Sequence, residues 1–123
     1  MASKPTQRSL QYLRTNGWLC HIVEHWNQFA HIRQDCYGFG DILACNPDRK
    51  LIALVQTTSA ANFNKRFKKV LAEPKAAIWR TAGGMILVHG WGKKGARGKR
   101  KVWTLREVIL TSEASLEREE RKA

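Results

Sequence analysis

The chain has 123 residues, of which 43% are hydrophobic and five are tryptophan, so it suits one domain with a packed core and is not a disordered polypeptide. Its formal net charge is +12, from 22 Lys and Arg against 10 Asp and Glu. So large a basic excess favours a polyanionic partner, with nucleic acid as the first candidate. No apolar run approaches the ~20 residues that cross a bilayer, and MASKPTQRSLQYL lacks the apolar core of a signal peptide.

The first half of the chain predicts one helix followed by three strands. Residues 3–17 favour a helix, because Pro5 suits its first turn and Asn16-Gly17 can end it. Strands are predicted at 18–27, from about Phe39 to Cys45, and at 51–57, with the turn NPDRK at 46–50 between the last two. The third strand is apolar on both faces before it reaches Gln56, which predicts a place in the middle of the sheet.

The second half predicts a helical connection and two more strands. Phe63, Phe67, Val70 and Leu71 recur at helical spacing and predict a helix over 59–73. A second helical piece is predicted at 75–84, strands at 85–91 and 102–110, and a frayed helix or disorder in the charged segment 112–123.

These elements predict an α/β fold in which helices flank a mixed central β-sheet. Residues 1–111 form the expected single domain, and residues 112–123 form a charged C-terminal tail. The three cysteines, Cys20, Cys36 and Cys45, have no C-x-x-C spacing and are interpreted as small buried side chains. Trp18, Trp26 and Trp79 are interpreted as core residues.

Two basic runs are the expected contacts to nucleic acid. KRFKK at 65–69 holds four cations, and KKGARGKRK at 93–101 holds six. The side chains expected to bind DNA are Lys65, Arg66, Lys93, Lys94, Arg97, Lys99, Arg100 and Lys101. Solvated segments with no partner are the alternative, and a membrane surface is disfavoured because neither run adjoins a long apolar face. Trp91 and Trp103 flank the second run and are interpreted as strand anchors in preference to platforms for unstacked bases.

Asp41 is the residue that most needs a chemical explanation. It lies inside FGDILA, where an ionised carboxylate is costly unless it is paired, hydrogen-bonded or bound to a metal. Gln56 and Thr58 share one face at the end of the next strand. If the two strands pair through the turn at 46–50, Asp41 and Gln56 meet at one end of the sheet. A hydrogen-bond anchor and a metal ligand both remain open on spacing alone.

The order of a helix, a hairpin carrying GFGDILA, a strand ending in QTT and a further helix resembles the PD-(D/E)XK nuclease superfamily. The similarity is to archaeal-type Holliday-junction resolvases and to small phage proteins of that fold, and it covers about residues 5–91. It implies a restriction-endonuclease-like αβββαβ core and Mg²⁺- or Mn²⁺-dependent hydrolysis of DNA phosphodiesters. It also implies branched DNA as substrate, a homodimer, and the cytoplasm of a prokaryotic or phage-infected cell.

The resemblance assigns roles to individual residues. Asp41 matches the hairpin aspartate, Gln56 stands at the position of the second acid, and Thr58 stands at the position of the lysine. Thr57 would offer its backbone carbonyl to the metal. The expected metal ligands are therefore Asp41, Gln56 and Thr57, with Glu24 or Asp35 as a substitute acid. An ion pair with a neighbouring Arg or His is the alternative role for Glu24.

Two departures from the family pattern bear on catalysis. Gln56 can ligate Mg²⁺ but brings no negative charge, and Thr58 brings no positive charge. Arg66 or Lys69 is the expected replacement for the lysine. The same departures favour two alternatives: an inactive nuclease fold that only binds nucleic acid, or an interaction protein that the basic runs keep soluble.

The histidines are weaker signals. His21 and His25 are four residues apart, but in a predicted strand this spacing does not make a metal pair. His89 is expected to be a structural hydrogen-bonding residue, with a phosphate contact as the alternative.

Overall fold

A computed structural model of the chain describes residues 3–121, which form one six-stranded sheet, a separate two-stranded hairpin and three α-helices. In chain order the elements are α1 (Lys4–Thr15), β1 (Leu19–Ile22), β2 (His25–Asn27), β3 (Ile32–Gln34), β4 (Ile42–Asn46), β5 (Leu51–Ser59), a 3₁₀ turn (Ala60–Asn62), α2 (Phe63–Ala72), α3 (Pro74–Thr81), β6 (Met85–Lys94), β7 (Val102–Leu110) and β8 (Ser115–Arg121).

The sheet is mixed, and its strand order is β1-β4-β5-β6-β7-β8. Every neighbouring pair is antiparallel except β5 and β6, which run parallel because α2 and α3 carry the chain back between them. The α/β class and the interior place of β5 are therefore confirmed.

Each face of the sheet carries its own core. On one face Leu10, Leu13 and Trp18 pack with Ile42, Val55 and Leu87 beneath α1. On the opposite face, alternate strand residues pack with α2 and α3. Phe63 lies there with no exposed surface, and burial of such a side chain contributes about 1.5–3 kcal/mol.

Gly90 brings the start of α2 against the sheet. A Cβ atom at this position would lie 2.5 Å from Cδ2 of Phe63, so only glycine leaves room for the ring. Because Gly90 pairs with Thr58, the start of α2 lies beside the C-terminal ends of β5 and β6.

Three local predictions were wrong. The strand expected at 18–27 is interrupted, because the N–H groups of Val23 and Glu24 both turn to the carbonyl of Asp41. The chain then leaves the main sheet as the β2–β3 hairpin, where Trp26 is exposed instead of core. The segment expected to fray or be disordered instead pairs with β7 as the edge strand β8, and residues 122–123 lie outside the described part of the chain.

The predicted helices and the remaining strands have their expected types. The helix predicted over 59–73 begins with a 3₁₀ turn capped by the Ser59 hydroxyl before α2 starts. The three cysteines are free thiols of intermediate burial, less enclosed than expected.

Candidate functional site

The candidate site is built around Asp41, which lies one residue before β4 at the end of the sheet where β5 finishes. Its main chain is fixed on both sides: the N–H donates to the carbonyl of Val55 at 2.8 Å, and the carbonyl accepts from Val23 and Glu24. Its residue surface is only 4% exposed. A carboxylate at this position therefore depends on the groups that surround it.

Those groups come from the polar end of β5. Oδ2 of Asp41 accepts hydrogen bonds from the Thr57 N–H at 2.8 Å, from Nε2 of Gln56 at 2.9 Å and from the Thr57 hydroxyl at 3.2 Å. Asp41 and Gln56 thus meet, as the strand pairing predicted. Gln56 and Thr57 of β5 therefore supply the hydrogen-bond donors to a buried acid.

Glu24 is the second carboxylate at this point. Its side chain is largely buried, and it lies close enough to Asp41 for its charge to act on that carboxyl. Burial, which is the largest cause, and the neighbouring Glu24 raise the pKa of Asp41 to about 7, against the lowering effect of the Thr57 N–H. The carboxyl of Asp41 therefore keeps its proton to a higher pH than an ordinary aspartate does.

Arg33 forms an ion pair with Glu24. The ion pair given as the alternative role of Glu24 is therefore present, and the partner is an Arg that sequence reasoning did not single out. Arg33 is half exposed, so its guanidinium contacts an acid of the site and also reaches solvent.

The cations proposed from α2 occupy a different place. Partial burial raises the pKa of Asp35, and the positive charge of Lys69 lowers it. Lys69 is therefore close to Asp35. Lys65 and Arg66 are exposed on α2. Among the hydrogen bonds and ion pairs found in residues 3–121, none joins Lys69, Arg66 or Thr58 to Asp41.

Thr57 and Thr58 make different contacts at the end of β5. The hydroxyl of Thr57 lies 2.7 Å from that of Thr6, which ties Asp41 to the first turn of α1. Thr58 is buried and pairs in the sheet with Gly90. The backbone of Thr57 takes part in the site through its N–H, whereas its carbonyl accepts from Nε2 of Gln56.

The basic run at 93–101 leaves the sheet at the same end. Because β5 and β6 are parallel, Ser59 lies opposite Trp91, and β6 then continues to Lys94 before the chain turns into β7. We call residues 93–101 the cationic hairpin. Its six basic side chains are all exposed: Lys93, Lys94, Arg97, Lys99, Arg100 and Lys101.

Further cations border the cationic hairpin. The Arg8 guanidinium of α1 lies 3.6 Å from the centre of the Trp103 ring, and Nζ of Lys93 lies 5.4 Å from that centre. Trp103 thus holds two cations and is not a bare stacking platform. Arg106 lies over the ring of Phe63 and donates to Asn64 at the start of α2.

The polar network around His89 was not predicted in full. His89 is fully buried, with Nδ1 2.8 Å from the Ser9 hydroxyl and Nε2 2.7 Å from Glu107. The Trp91 indole also donates to Ser9. A phosphate contact by His89 is therefore excluded, and its structural role is confirmed. Glu107 is a carboxylate in the apolar run VWTLREVIL, the same signal that singled out Asp41.

Within residues 3–121, no cluster of three or more His, Cys, Asp or Glu side chains is arranged to hold a metal ion. Over the same residues, no helix has the length and apolar character to cross a membrane. No protein-family model, curated protein or solved structure matches the chain.

Proposed function

We propose that the protein binds DNA and hydrolyses its phosphodiesters with the help of Mg²⁺ or Mn²⁺, at a site formed by Asp41 and Glu24. The observation that carries the proposal is the buried pair of carboxylates at the end of a sheet from which the cationic hairpin also extends. The paired acids suit a divalent cation, and the exposed cations suit the phosphates of a nucleic acid.

The arrangement of elements supports a nuclease-like architecture. From α1 to β6, and leaving out the β2–β3 hairpin, the chain runs as a helix, three antiparallel strands, a helical connection and a parallel strand. This order is compatible with the αβββαβ core of the PD-(D/E)XK superfamily. The proposal accordingly includes branched DNA as the substrate and a homodimer as the active form.

The residues present fit a divalent cation in one respect. A buried carboxyl whose pKa is raised beside a second carboxylate gains favourable interactions when a cation takes the place of its proton. Asp41 and Glu24 would hold the ion. The amide oxygen of Gln56 would join them if the side-chain amide rotated by about half a turn, since its nitrogen now faces Asp41. The bound ion would supply Lewis-acid activation of water and of the phosphate.

The chain's own residues orient the acids and the substrate. The Thr57 N–H and hydroxyl keep Oδ2 of Asp41 in place, and Arg33 restrains Glu24. The cationic hairpin binds the sugar–phosphate backbone, which positions a phosphate without reading its sequence. Arg33 is a better candidate than Lys69 or Arg66 for countering charge at the phosphate, because it contacts an acid of the site.

Cleavage of labelled four-way junction, splayed fork and duplex DNA in Mg²⁺ or Mn²⁺ tests the proposal. We expect wild type to cleave at least one substrate and Asp41→Asn to lose cleavage while it still binds. A thermal-shift series with Mg²⁺ gives an independent readout, because the ion should raise the unfolding midpoint of wild type and not that of Asp41→Asn. An Asp48→Asn variant, altered in an exposed turn, is the matched control.

A second candidate function is DNA binding without hydrolysis. It is favoured by Gln56, whose Nε2 donates to Asp41 where a second acid would supply negative charge. This candidate predicts salt-sensitive DNA binding that neither EDTA nor Asp41→Asn changes, and no cleavage by wild type. Gln56→Glu adds the missing charge and separates the two: it should increase the Mg²⁺-dependent midpoint shift only if the site takes the ion.

A further inference from the structure

The β2–β3 hairpin lies outside the main sheet and outside both hydrophobic cores. Residues 25–34 form a two-stranded sheet of their own, and neither strand pairs with the six-stranded sheet. None of its side chains belongs to either hydrophobic core. An isolated hairpin of this kind is only marginally stable in water unless something else supports it.

The tip of the hairpin has a defined conformation. Oδ1 of Asn27 accepts the N–H groups of Phe29 and Ala30, both at 3.0 Å. Nε2 of His25 and Oε1 of Gln34 lie 2.9 Å apart across the strands. The turn is therefore fixed by hydrogen bonds within the hairpin.

This ordered tip presents aromatic rings to solvent. Phe29 is 90% exposed and Trp26 is 56% exposed, with Trp26 edge-on to His31 at a centroid distance of 6.4 Å. The two residues are three apart in the sequence, one in β2 and one in the turn that follows it. Their exposure contributes nothing to the stability of the fold, which is the mark of a contact surface.

The hairpin is joined directly to the candidate site. Its first strand follows Glu24, whose N–H donates to the carbonyl of Asp41. Trp26 pairs in register with Arg33, and Arg33 pairs with Glu24. At about 3.3 Å per residue, the tip lies roughly 13 Å from Glu24, the reach of about four nucleotides along a strand.

The chemistry of the hairpin suits a nucleic acid more than a basic partner. Residues 25–34, HWNQFAHIRQ, hold no carboxylate, one Arg and two His. Aromatic rings among such groups stack on bases, provided that those bases are unpaired and their faces are free.

We infer that the β2–β3 hairpin binds unpaired bases within about four nucleotides of the phosphate at the Asp41–Glu24 site, through Trp26 and Phe29. The inference rests on the proposed function and deepens it. The substrate class becomes DNA with unpaired bases, such as a fork, a flap or a gap, in preference to intact duplex.

The test compares a splayed fork with a fully paired duplex of equal phosphate number, in EDTA, by fluorescence anisotropy. Phe29→Ala should weaken fork binding by roughly 5- to 100-fold, the usual effect of losing one stacked base, and change duplex binding by about twofold at most. Phe29→Trp should restore fork binding, because it keeps a ring. A 2-aminopurine at the first unpaired position should be quenched by wild type and not by Phe29→Ala.

Ile78→Ala is the matched control, because Ile78 is 68% exposed on α3 and lies outside the hairpin. Equal fork affinity of wild type and Phe29→Ala, with DNA binding intact, would overturn this inference alone. Equal losses on fork and duplex would also overturn it. Failure of wild type to bind either DNA would overturn the proposed function as well. Phe29 is so exposed that its replacement should leave folding unchanged, and circular dichroism checks this.

Discussion

Asp41 accepts the backbone N–H of Thr57 at 2.8 Å, and this bond joins the start of β4 to the polar end of β5. Oδ2 of Asp41 also accepts hydrogen bonds from Gln56 and from the Thr57 hydroxyl. The same carboxyl is buried beside a second acid, Glu24. The site is therefore stabilised by hydrogen bonds and destabilised by charge. Its stability should respond to pH, to cations and to neutral isosteres.

Asp41→Asn should remove a pH dependence of stability. The pKa of Asp41 is raised from 3.8 to about 7, so between these pH values the folded protein binds more protons than the unfolded chain. Stability linked to this group is present at low pH and is lost as pH rises towards 7. Asparagine mimics the protonated acid, so the variant should be more stable than wild type at pH 8 by about 1–3 kcal/mol, and similar to it at pH 4.

Urea unfolding at pH 4, 6 and 8 measures this effect in metal-free buffer. Asp48→Asn, which neutralises an exposed turn residue, should leave the difference between pH 4 and pH 8 unchanged. An Asp41→Asn protein that is less stable than wild type at pH 8 would show that the acid is ionised and satisfied in the fold.

Lys93→Ala combined with Lys94→Ala should weaken DNA binding and reduce its salt dependence. If both ammonium groups contact phosphate, the slope of log K against log salt should fall by roughly two. Arg14→Ala with Lys75→Ala removes the same charge from exposed positions outside the cationic hairpin and should leave most of the slope unchanged. A titration from about 50 to 200 mM salt makes the comparison, and equal slopes for both double variants would remove the hairpin from the interface.

Glu117→Gln combined with Glu119→Gln should strengthen DNA binding. Glu119 pairs with Lys94 at 2.9 Å, and Glu117 pairs with Arg106, so β8 neutralises one cation of the cationic hairpin and one beside it. Both pairs are exposed and contribute little to folding, so the gain should appear as about 3- to 10-fold tighter binding. Asp48→Asn with Glu113→Gln makes the same change in net charge elsewhere, and an equal gain in that variant would contradict the local explanation.

Ser9→Ala should destabilise the fold through the buried network beneath α1. Its hydroxyl serves both Nδ1 of His89 and the indole N–H of Trp91, each at 2.8 Å. Without it, two buried polar groups lose a partner, at a cost of about 1–3 kcal/mol. Thr15→Ala, which removes an exposed hydroxyl bonded to the Gln11 carbonyl, is the control and should cost much less. Comparable losses in the two variants would argue that water reaches His89.

Local patterns in the sequence determined most of the architecture. The apolar run of β5 indicated an interior strand because such a run has to be covered on both faces, and the spacing of Phe63, Phe67 and Val70 indicated the helix that follows. Asp41 was identified because a carboxylate among apolar residues needs compensation. The strand pairing through the 46–50 turn then brought Gln56 to it, since antiparallel neighbours share a register.

Only the tertiary structure decided what surrounds these residues. It joined Glu24 to Asp41 and Arg33 because a strand that looks continuous from 18 to 27 breaks where two N–H groups turn to one carbonyl. The charged segment forms the strand β8 because pairing with β7 satisfies its backbone N–H and C=O groups. The charge pattern of this segment gave no sign of this pairing. The tertiary structure also placed Lys69 near Asp35, because the packing of α2 on the sheet sets where the side chains of that helix lie. Sequence spacing fixes which residues lie on one element, whereas contacts between elements depend on where each one packs.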